Sequence, residues 1–466
     1  MKKLLNWIIP AVFGIGLWFI PTPEGLTPQS WHLFAIFVAT IVGFITQPLP
    51  IGGVSIVVIT VAALTGTLKI GEAISGFANS AIWLIVGAFL FSRGFIKTGL
   101  GKRIAYNLIA AFGSSSLRLA YALALSDLIL APATPSNTAR VGGVIMPITT
   151  SLAKAFGSEP QDGPRKIGSF LMQSIYQVNT ITSAMFQTSM AGNTLVAALA
   201  LQSFGIGITW GDWAMAAIVP GIIALIIMPY FIYKVYPPEI KDAREAQQMI
   251  KEELKGLGKM SFQEWVMLGV FVLALVLWAT SQFTKLDATT VAFLGISILL
   301  ATSVLVWDDV KSEKGAWDTL VWMGTLMGFA GFLSKLGFIK WATVLVGGYI
   351  PEGSWIIAFV IAVVINTYSH YVFASLTAHI SAMFVAFSAI AISAGAPPML
   401  TLLMIAFTSN LCMSLTHYAA GPSPVIFNTG YVPQNTWWKL GFFASVINLI
   451  IFMGLGSVWM KAIGMW

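Results

Sequence analysis

Long apolar stretches without a formal charge alternate with short polar connectors along most of this chain. No Asp, Glu, Lys or Arg occurs from Gly25 to Leu68, from Ile167 to Gly211 or from Gly353 to Trp438. Each run exceeds the ~20 apolar residues with which a helix crosses a bilayer core. Shorter charge-free runs fit single crossings: Ala214 to Tyr233, Trp265 to Thr284, Ala288 to Trp307 and Leu440 to Met460. The pattern predicts an all-α polytopic membrane protein of about ten to twelve spans. A transmembrane barrel would instead show ~10-residue alternating segments.

One polar segment divides the pattern. Lys234 to Lys259, "KVYPPEIKDAREAQQMIKEELKGLGK", carries six Lys or Arg and has helix-forming composition. It reads as a cytoplasmic arm, 234–263, between two apolar halves, 1–233 and 264–466. Lys2 and Lys3 precede the first apolar run, and no small-residue cleavage site follows it, so that run is expected to be a retained helix with a cytoplasmic N-terminus. An even number of spans between Lys3 and the arm then places the loop near Lys154, Arg165 and Lys166 outside. That placement runs against the positive-inside tendency, and Glu159 and Asp162 soften the conflict only in part.

Composition narrows the class further. Of 466 residues, 57% are hydrophobic and 9% charged, against about 25% charged in a soluble domain. The net charge of +7 is therefore membrane-orienting charge in connectors, and no nucleic-acid partner is expected. Cys412 is the single cysteine, which rules out an intrachain disulfide. Four histidines and one cysteine show no metal-ligand spacing, so neither a metal nor a cofactor is expected.

The two halves resemble each other. "NSAIWLIVGAFLFSRGFIKTGLGK" from Asn79 has a counterpart in "DTLVWMGTLMGFAGFLSKLGFIK" from Asp318. Trp83 matches Trp322, and each segment closes on Lys-x-Gly, at Gly99 and at Gly337. Downstream, "SNTARV" from Ser136 matches "SLTAHI" from Ser375. With an odd number of crossings in each half the repeats are inverted, an organisation typical of secondary transporters with a midplane site.

Each half also interrupts its own helices. In "APATPSNTARVGG", Ala131 to Gly143, Pro132 and Pro135 remove backbone donors and disfavour α conformation before them. Ser136, Asn137 and Thr138 follow, and these are helix-capping residues. The expectation is a helix stopping near Leu130, a loop, and a new helix starting near Thr138 whose N–H groups favour an anion. In lipid, such a break belongs beside a cavity. The second half keeps Ser375 and Thr377 but has Leu376 in place of Asn. Asn179 to Asn193 and Thr408 to Phe427, with Gly421, Pro422 and Pro424, are interruptions of the same kind. Arg140 and His379 share one repeat position, and a charge inside a bundle calls for a partner or a pathway. Asp127 either pairs Arg140 or carries a proton; His370 and His417 are read as packing or gating residues. Ser375 and His379 have i, i+4 spacing, yet no G-x-S-x-G elbow supports a hydrolase, so no enzyme is expected.

At "APATPSNTARVGG", "ASLTAHI" and "LTHYAAGPSPVIFNTGYV" the chain resembles the divalent anion:sodium symporter family, and within it the exchanger branch that swaps citrate for succinate or 2-oxoglutarate for malate. The resemblance implies eleven transmembrane helices plus two re-entrant hairpins, placed near Phe77 to Thr98 and Ala316 to Leu336. It further implies scaffold and transport domains, a homodimer in a bacterial inner membrane with its surrounding lipid, and elevator movement. By position, Ser136, Asn137 and Thr138 would contact one substrate carboxylate and Ser375, Leu376 and Thr377 the other. Gly421 and Pro422 match a family loop, and Asn79, Ser183 and Thr188 are further carry-overs. The chain departs from sodium-coupled members by placing Arg140 and His379 after the triplets, so fixed positive charge is expected to replace sodium. The function expected is sodium-free exchange of di- or tricarboxylates; a sodium-coupled symporter and a passive anion channel are the alternatives.

Overall fold

A computed structural model describes residues 2–347 and 355–466; Gly353 and Ser354, which open the third charge-free run, lie outside the described residues. The fold is all-α, with no strand among the described residues and one isolated bridge, Ser115 to Asp242. Among the described residues nine helices are long and apolar enough to cross a membrane, and Leu5–Phe19, Ile51–Leu64 and Ala288–Ala301 are shorter apolar ones. They follow the charge-free runs: Trp210–Val235 contains the run from Ala214, Phe262–Ala279 most of the run from Trp265, and Gln434–Ala462 the run from Leu440. Polar caps set several starts. Thr27 accepts from the Ser30 amide, and Ser261 and Glu264 cap each other's backbone reciprocally.

The polar segment folds as expected into a helix, Arg244–Gly256, packed along Leu100–Phe112. Its surroundings correct the expected topology. Ser116, which opens the helix Ser116–Leu130, donates its N–H to the Lys241 carbonyl at 2.9 Å, and the Ala243 N–H reaches the Ser114 carbonyl at 3.2 Å. Beyond the break, Asn137–Arg140, Val141–Ile145 (a π turn) and Met146–Ala155 form one helical run. It leads to a loop in which the Arg165 and Lys166 carbonyls accept from the Glu239 and Ile240 amides at 3.1 and 2.9 Å. Arg165 also donates to the Pro237 carbonyl at 2.7 Å and stacks over Tyr236. The basic loop and the arm therefore share one face. Residues 116–155 leave that face, reverse at the break and return to it as a helical hairpin. The expectation that Lys154, Arg165 and Lys166 face away from the arm fails because this stretch returns to the side it left. With them on the arm's side, the basic residues cluster as membrane orientation favours.

The hairpins also move relative to the expected places. Phe77 to Thr98 is a short 3₁₀ end followed by one continuous helix, Ser80–Thr98, and Ala316 to Leu336 lies almost wholly in another, Lys314–Lys335. The chain reverses instead around the Ser136 and Ser375 motifs, where Trp355–Ser369 packs against Leu376–Ser393. The two continuous helices are followed by glycines at positive φ, Gly99 at 74° and Gly337 at 83°, which explains the shared Lys-x-Gly. They pack against each other. Gly76 makes the approach of the preceding turn possible, since a Cβ there would lie 2.0 Å from the Gly324 carbonyl oxygen.

Arg103 holds the arm to the first half. Its Nε lies 2.5 Å from Glu264, and its NH1 and NH2 donate to the Gly258 and Leu257 carbonyls at 2.9 and 3.2 Å. Arg103 and Glu264 side chains are 10% and 7% exposed. Removing one partner leaves the other buried and unpaired, at a cost of roughly 3–5 kcal/mol. Arg103→Ala should lower the thermal unfolding midpoint of the detergent-purified protein, and adding Glu264→Gln should restore part of the loss.

Candidate functional site

The site is built from helix ends. Ser116–Leu130 stops as the sequence predicts, a 3₁₀ turn Ala131–Ala133 follows, Thr134 is extended, and Ser136 caps the next helix. In the second half Trp355–Ser369 stops, a 3₁₀ turn His370–Val372 follows, Phe373 is extended, and Ser375 caps Leu376–Ser393. The match extends to the hydrogen bonds. Ser136 Oγ accepts from the Ala139 amide at 3.1 Å and Ser375 Oγ from the Ala378 amide at 3.3 Å. The Ser136 and Ser375 carbonyls accept from the Arg140 and His379 amides. Among the described residues this leaves the N–H groups of Asn137 and Thr138, and of Leu376 and Thr377, as the unsatisfied first-turn donors. Ser136, Thr138, Ser375 and Thr377 are half-buried, and each hydroxyl has a hydrogen to donate. Each tip can thus receive one carboxylate through amides and hydroxyls without a formal charge.

Arg140 is 1% exposed and all five of its N–H groups are used. Nε donates to Asp127 Oδ1 at 2.8 Å, NH1 to the Thr134 and Ser189 carbonyls at 2.9 and 3.0 Å, and NH2 to the Thr182 and Ser183 hydroxyls at 3.3 Å. Asp127, 2% exposed, also accepts from Asn179 Nδ2 at 3.1 Å and from the Thr182 hydroxyl. Of the two readings of Asp127, the pair with Arg140 is the one realised. The charge of Arg140 is answered by Asp127, and none of its donors is left for a substrate. What it does is fill a cage of oxygens, two of them carbonyls from broken helices, as a cation would.

Ser183 and Thr188 belong to this framework. Ser183 accepts from Arg140, and Thr188 donates to the Pro132 carbonyl while accepting from Trp210 Nε1 at 2.9 Å. The Cys412–Leu415 turn, inside the interruption Thr408 to Phe427 but given no role from the sequence, touches both tips. Asn137 Nδ2 lies 3.6 Å from Met413 Sδ, and Cys412 lies beside His370 and His379. Its signal was available in the polar interruption "TSNLCMSLTH". Gly421 meets the first tip so closely that a Cβ would stand 2.1 Å from Thr138 Oγ1, and the buried Pro422 starts the short helix Pro422–Phe427. His379 is fully buried with Nε2 3.0 Å from Ser369 Oγ, and among the described residues its hydrogen bonding shows no acidic partner. His417 packs as expected, accepting from Trp438 Nε1 at 3.0 Å among aromatic rings.

The model of the sodium:sulfate symporter transmembrane region matches residues 1–466. The chain belongs to the divalent anion:sodium symporter family. A relative in Bacillus subtilis, named a putative malate transporter, is 52% identical over all of this chain and 97% of its own length. Dicarboxylate transporter 1 of Spinacia oleracea chloroplasts is 47% identical over all of this chain and 82% of its own. The inner membrane protein YbhI of Escherichia coli is 39% identical over all of this chain and 98% of its own. Among solved structures, Neisseria gonorrhoeae MtrF shares the fold with a TM-score of 0.60 at 13% identity, covering 98% of this chain and 94% of that one. The protein is thus an integral membrane transporter and not an enzyme.

Within this family member Asn79 stands apart from the tips. It caps Ser80–Thr98 by accepting from the Ala81 amide at 2.9 Å. It lines a cavity of about 860 Å³ with Gln187, Gln202, Trp210 and Lys285. Gln187 belongs to the same break as Ser189, and Trp210, also in the lining, donates to Thr188.

Two outcomes test this geometry. Asp127→Ala and Arg140→Ala should each destabilise the protein by roughly 3–5 kcal/mol, and the double variant by clearly less than the sum; unfolding of the three variants in detergent measures it. Gly421→Ala should abolish or strongly slow transport in vesicles at near-normal expression, because the methyl group and the Thr138 hydroxyl cannot occupy one place.

Proposed function

We propose that this protein exchanges di- or tricarboxylates, of the 2-oxoglutarate, malate, succinate and citrate class, across a bacterial inner membrane without sodium. The observation that carries the reading is the pair of matching helix starts at Ser136 and Ser375, each with two free amides and two hydroxyls. Two such ends suit a ligand with two carboxylates. The relatives' names, malate and dicarboxylate transporters, support the same class. In this reading Ser136, Asn137, Thr138, Ser375 and Thr377 hold the substrate, with Gly421 and Pro422 shaping the wall. Asn79 and Ser183 contribute from the cavity and the cage.

Arg140 takes the place of one coupling cation by filling the oxygen cage, and His379 holds the corresponding place in the second half. The helical hairpins 116–155 and 355–393 are re-entrant, the halves are inverted repeats, and the tips move as one body in an elevator cycle of a homodimer whose N-terminus is cytoplasmic. A carrier whose cage is filled permanently cannot use cation release to reset, so substrate must occupy it for both strokes.

Proteoliposomes loaded with malate should take up labelled 2-oxoglutarate, and empty ones should not; comparable uptake into empty vesicles would overturn exchange. Ser136→Ala should weaken substrate binding by about ten- to a hundredfold, the worth of roughly 1.5–3 kcal/mol for a hydrogen bond to a charged group. Equilibrium binding to the purified variant measures this directly.

A further inference from the structure

His370, His379 and Cys412 are distant in sequence but meet in the interior. One ring nitrogen of each histidine and the Cys412 Sγ all lie within 4.8 Å of one another, and all three residues are fully buried. The hydrogen bonds fix both rings. His370 Nε2 lies 2.8 Å from the Ala419 carbonyl. A carbonyl only accepts, so the proton is on Nε2 and Nδ1 carries a lone pair. Ser369 Oγ gives its one hydrogen to the Asn366 carbonyl at 2.9 Å, so it accepts from His379 Nε2 at 3.0 Å. His379 therefore also keeps its proton on Nε2. Both Nδ1 atoms are buried, and among the described residues neither has a hydrogen-bond partner. A neutral imidazole held through one N–H by an oxygen, with the other nitrogen bare, is how proteins orient metal-ligating histidines.

We propose that His370, His379 and Cys412 form a binding site for one soft or borderline metal cation of the Zn²⁺, Cd²⁺ or Cu⁺ class. Two imidazoles and a thiolate suit these ions and not sodium, whose ligands are oxygens such as those around Arg140. Binding releases the thiol proton, now shared with the Ser409 carbonyl at 3.3 Å, to solvent. Ligands about 2.0–2.3 Å from a tetrahedral ion stand about 3.3–3.8 Å apart, so the cluster must close by about 1 Å. Three protein ligands leave a fourth position for water or a carboxylate. The ion ties the second tip, which carries both histidines, to the Cys412–Leu415 turn, which also contacts the first tip through Asn137. It should therefore stabilise the fold and arrest transport.

The test is cadmium titration of the full-length protein in detergent, followed by the thiolate-to-metal charge-transfer band in the ultraviolet. Cys412 is the single cysteine, so any such band reports on it alone, and the readout does not depend on transport or substrate. One equivalent of Cd²⁺ should saturate the band, and Zn²⁺ should displace it. The isosteric Cys412→Ser should remove it. His370→Gln and His379→Gln should each weaken binding by at least about tenfold, while His417→Gln leaves it unchanged. No band in the wild-type protein up to millimolar Cd²⁺ overturns the proposal, whatever the variants do. So does a band that both histidine variants leave unaltered, since that is a lone thiol binding metal.

Discussion

A guanidinium buried inside a membrane protein needs an answer for its charge and for every one of its five N–H groups. Arg140 obtains both from one cage: Asp127, two backbone carbonyls and two hydroxyls. The carbonyls of Thr134 and Ser189 are available because their helices are broken there, and the breaks are tolerated because Arg140 satisfies them. The two features need each other. Removing the arginine orphans carbonyls in two loops and a carboxylate; closing the loops into helix removes the arginine's acceptors. The hairpin 116–155, the helix Gly168–Met185 and the break after it are held in register by this one side chain.

The cage also bears on the proposed way of holding an anion. Asp127 cancels the charge of Arg140, so in that proposal attraction falls to the amides and hydroxyls at Ser136 and Ser375, strengthened by the helix dipoles and low dielectric around them. An uncharged receptor of that kind can release its ligand, which a transporter needs as much as it needs to bind. The halves keep the same backbone geometry at the tips but fill the space behind them differently. The first half puts an ion pair among oxygens there, and the second puts two histidines and a thiol.

Much of this was legible in the sequence because it rests on local rules. Charge-free runs gave the helices, Pro132 and Pro135 the first break, and Ser136 and Ser375 the caps. The shared Lys-x-Gly marked the repeat, and its two glycines prove to have positive φ. What escaped depends on contacts between distant segments. The side on which Arg165 and Lys166 lie follows from their carbonyls pairing with Glu239 and Ile240, and no loop charge count contains that pairing. The hairpins were assigned to Phe77 to Thr98 and Ala316 to Leu336, whereas the reversals fall at the capping motifs themselves. Arg140 was recognised as the unusual charge and Asp127 as its partner in one of two readings, but the choice between them needed Asn179 and Thr182 in the same place. The meeting of His370, His379 and Cys412 could not be foreseen from spacing, because three separate helix ends bring it about.

The central claim is that a protein cation already occupies the place where a coupling ion would bind. Equilibrium binding of labelled 2-oxoglutarate to the purified protein, in sodium-free buffer and in sodium at equal ionic strength, tests it most directly. The account predicts the same affinity in both, whereas a gain with sodium of about tenfold or more, worth about 1.4 kcal/mol, would contradict it.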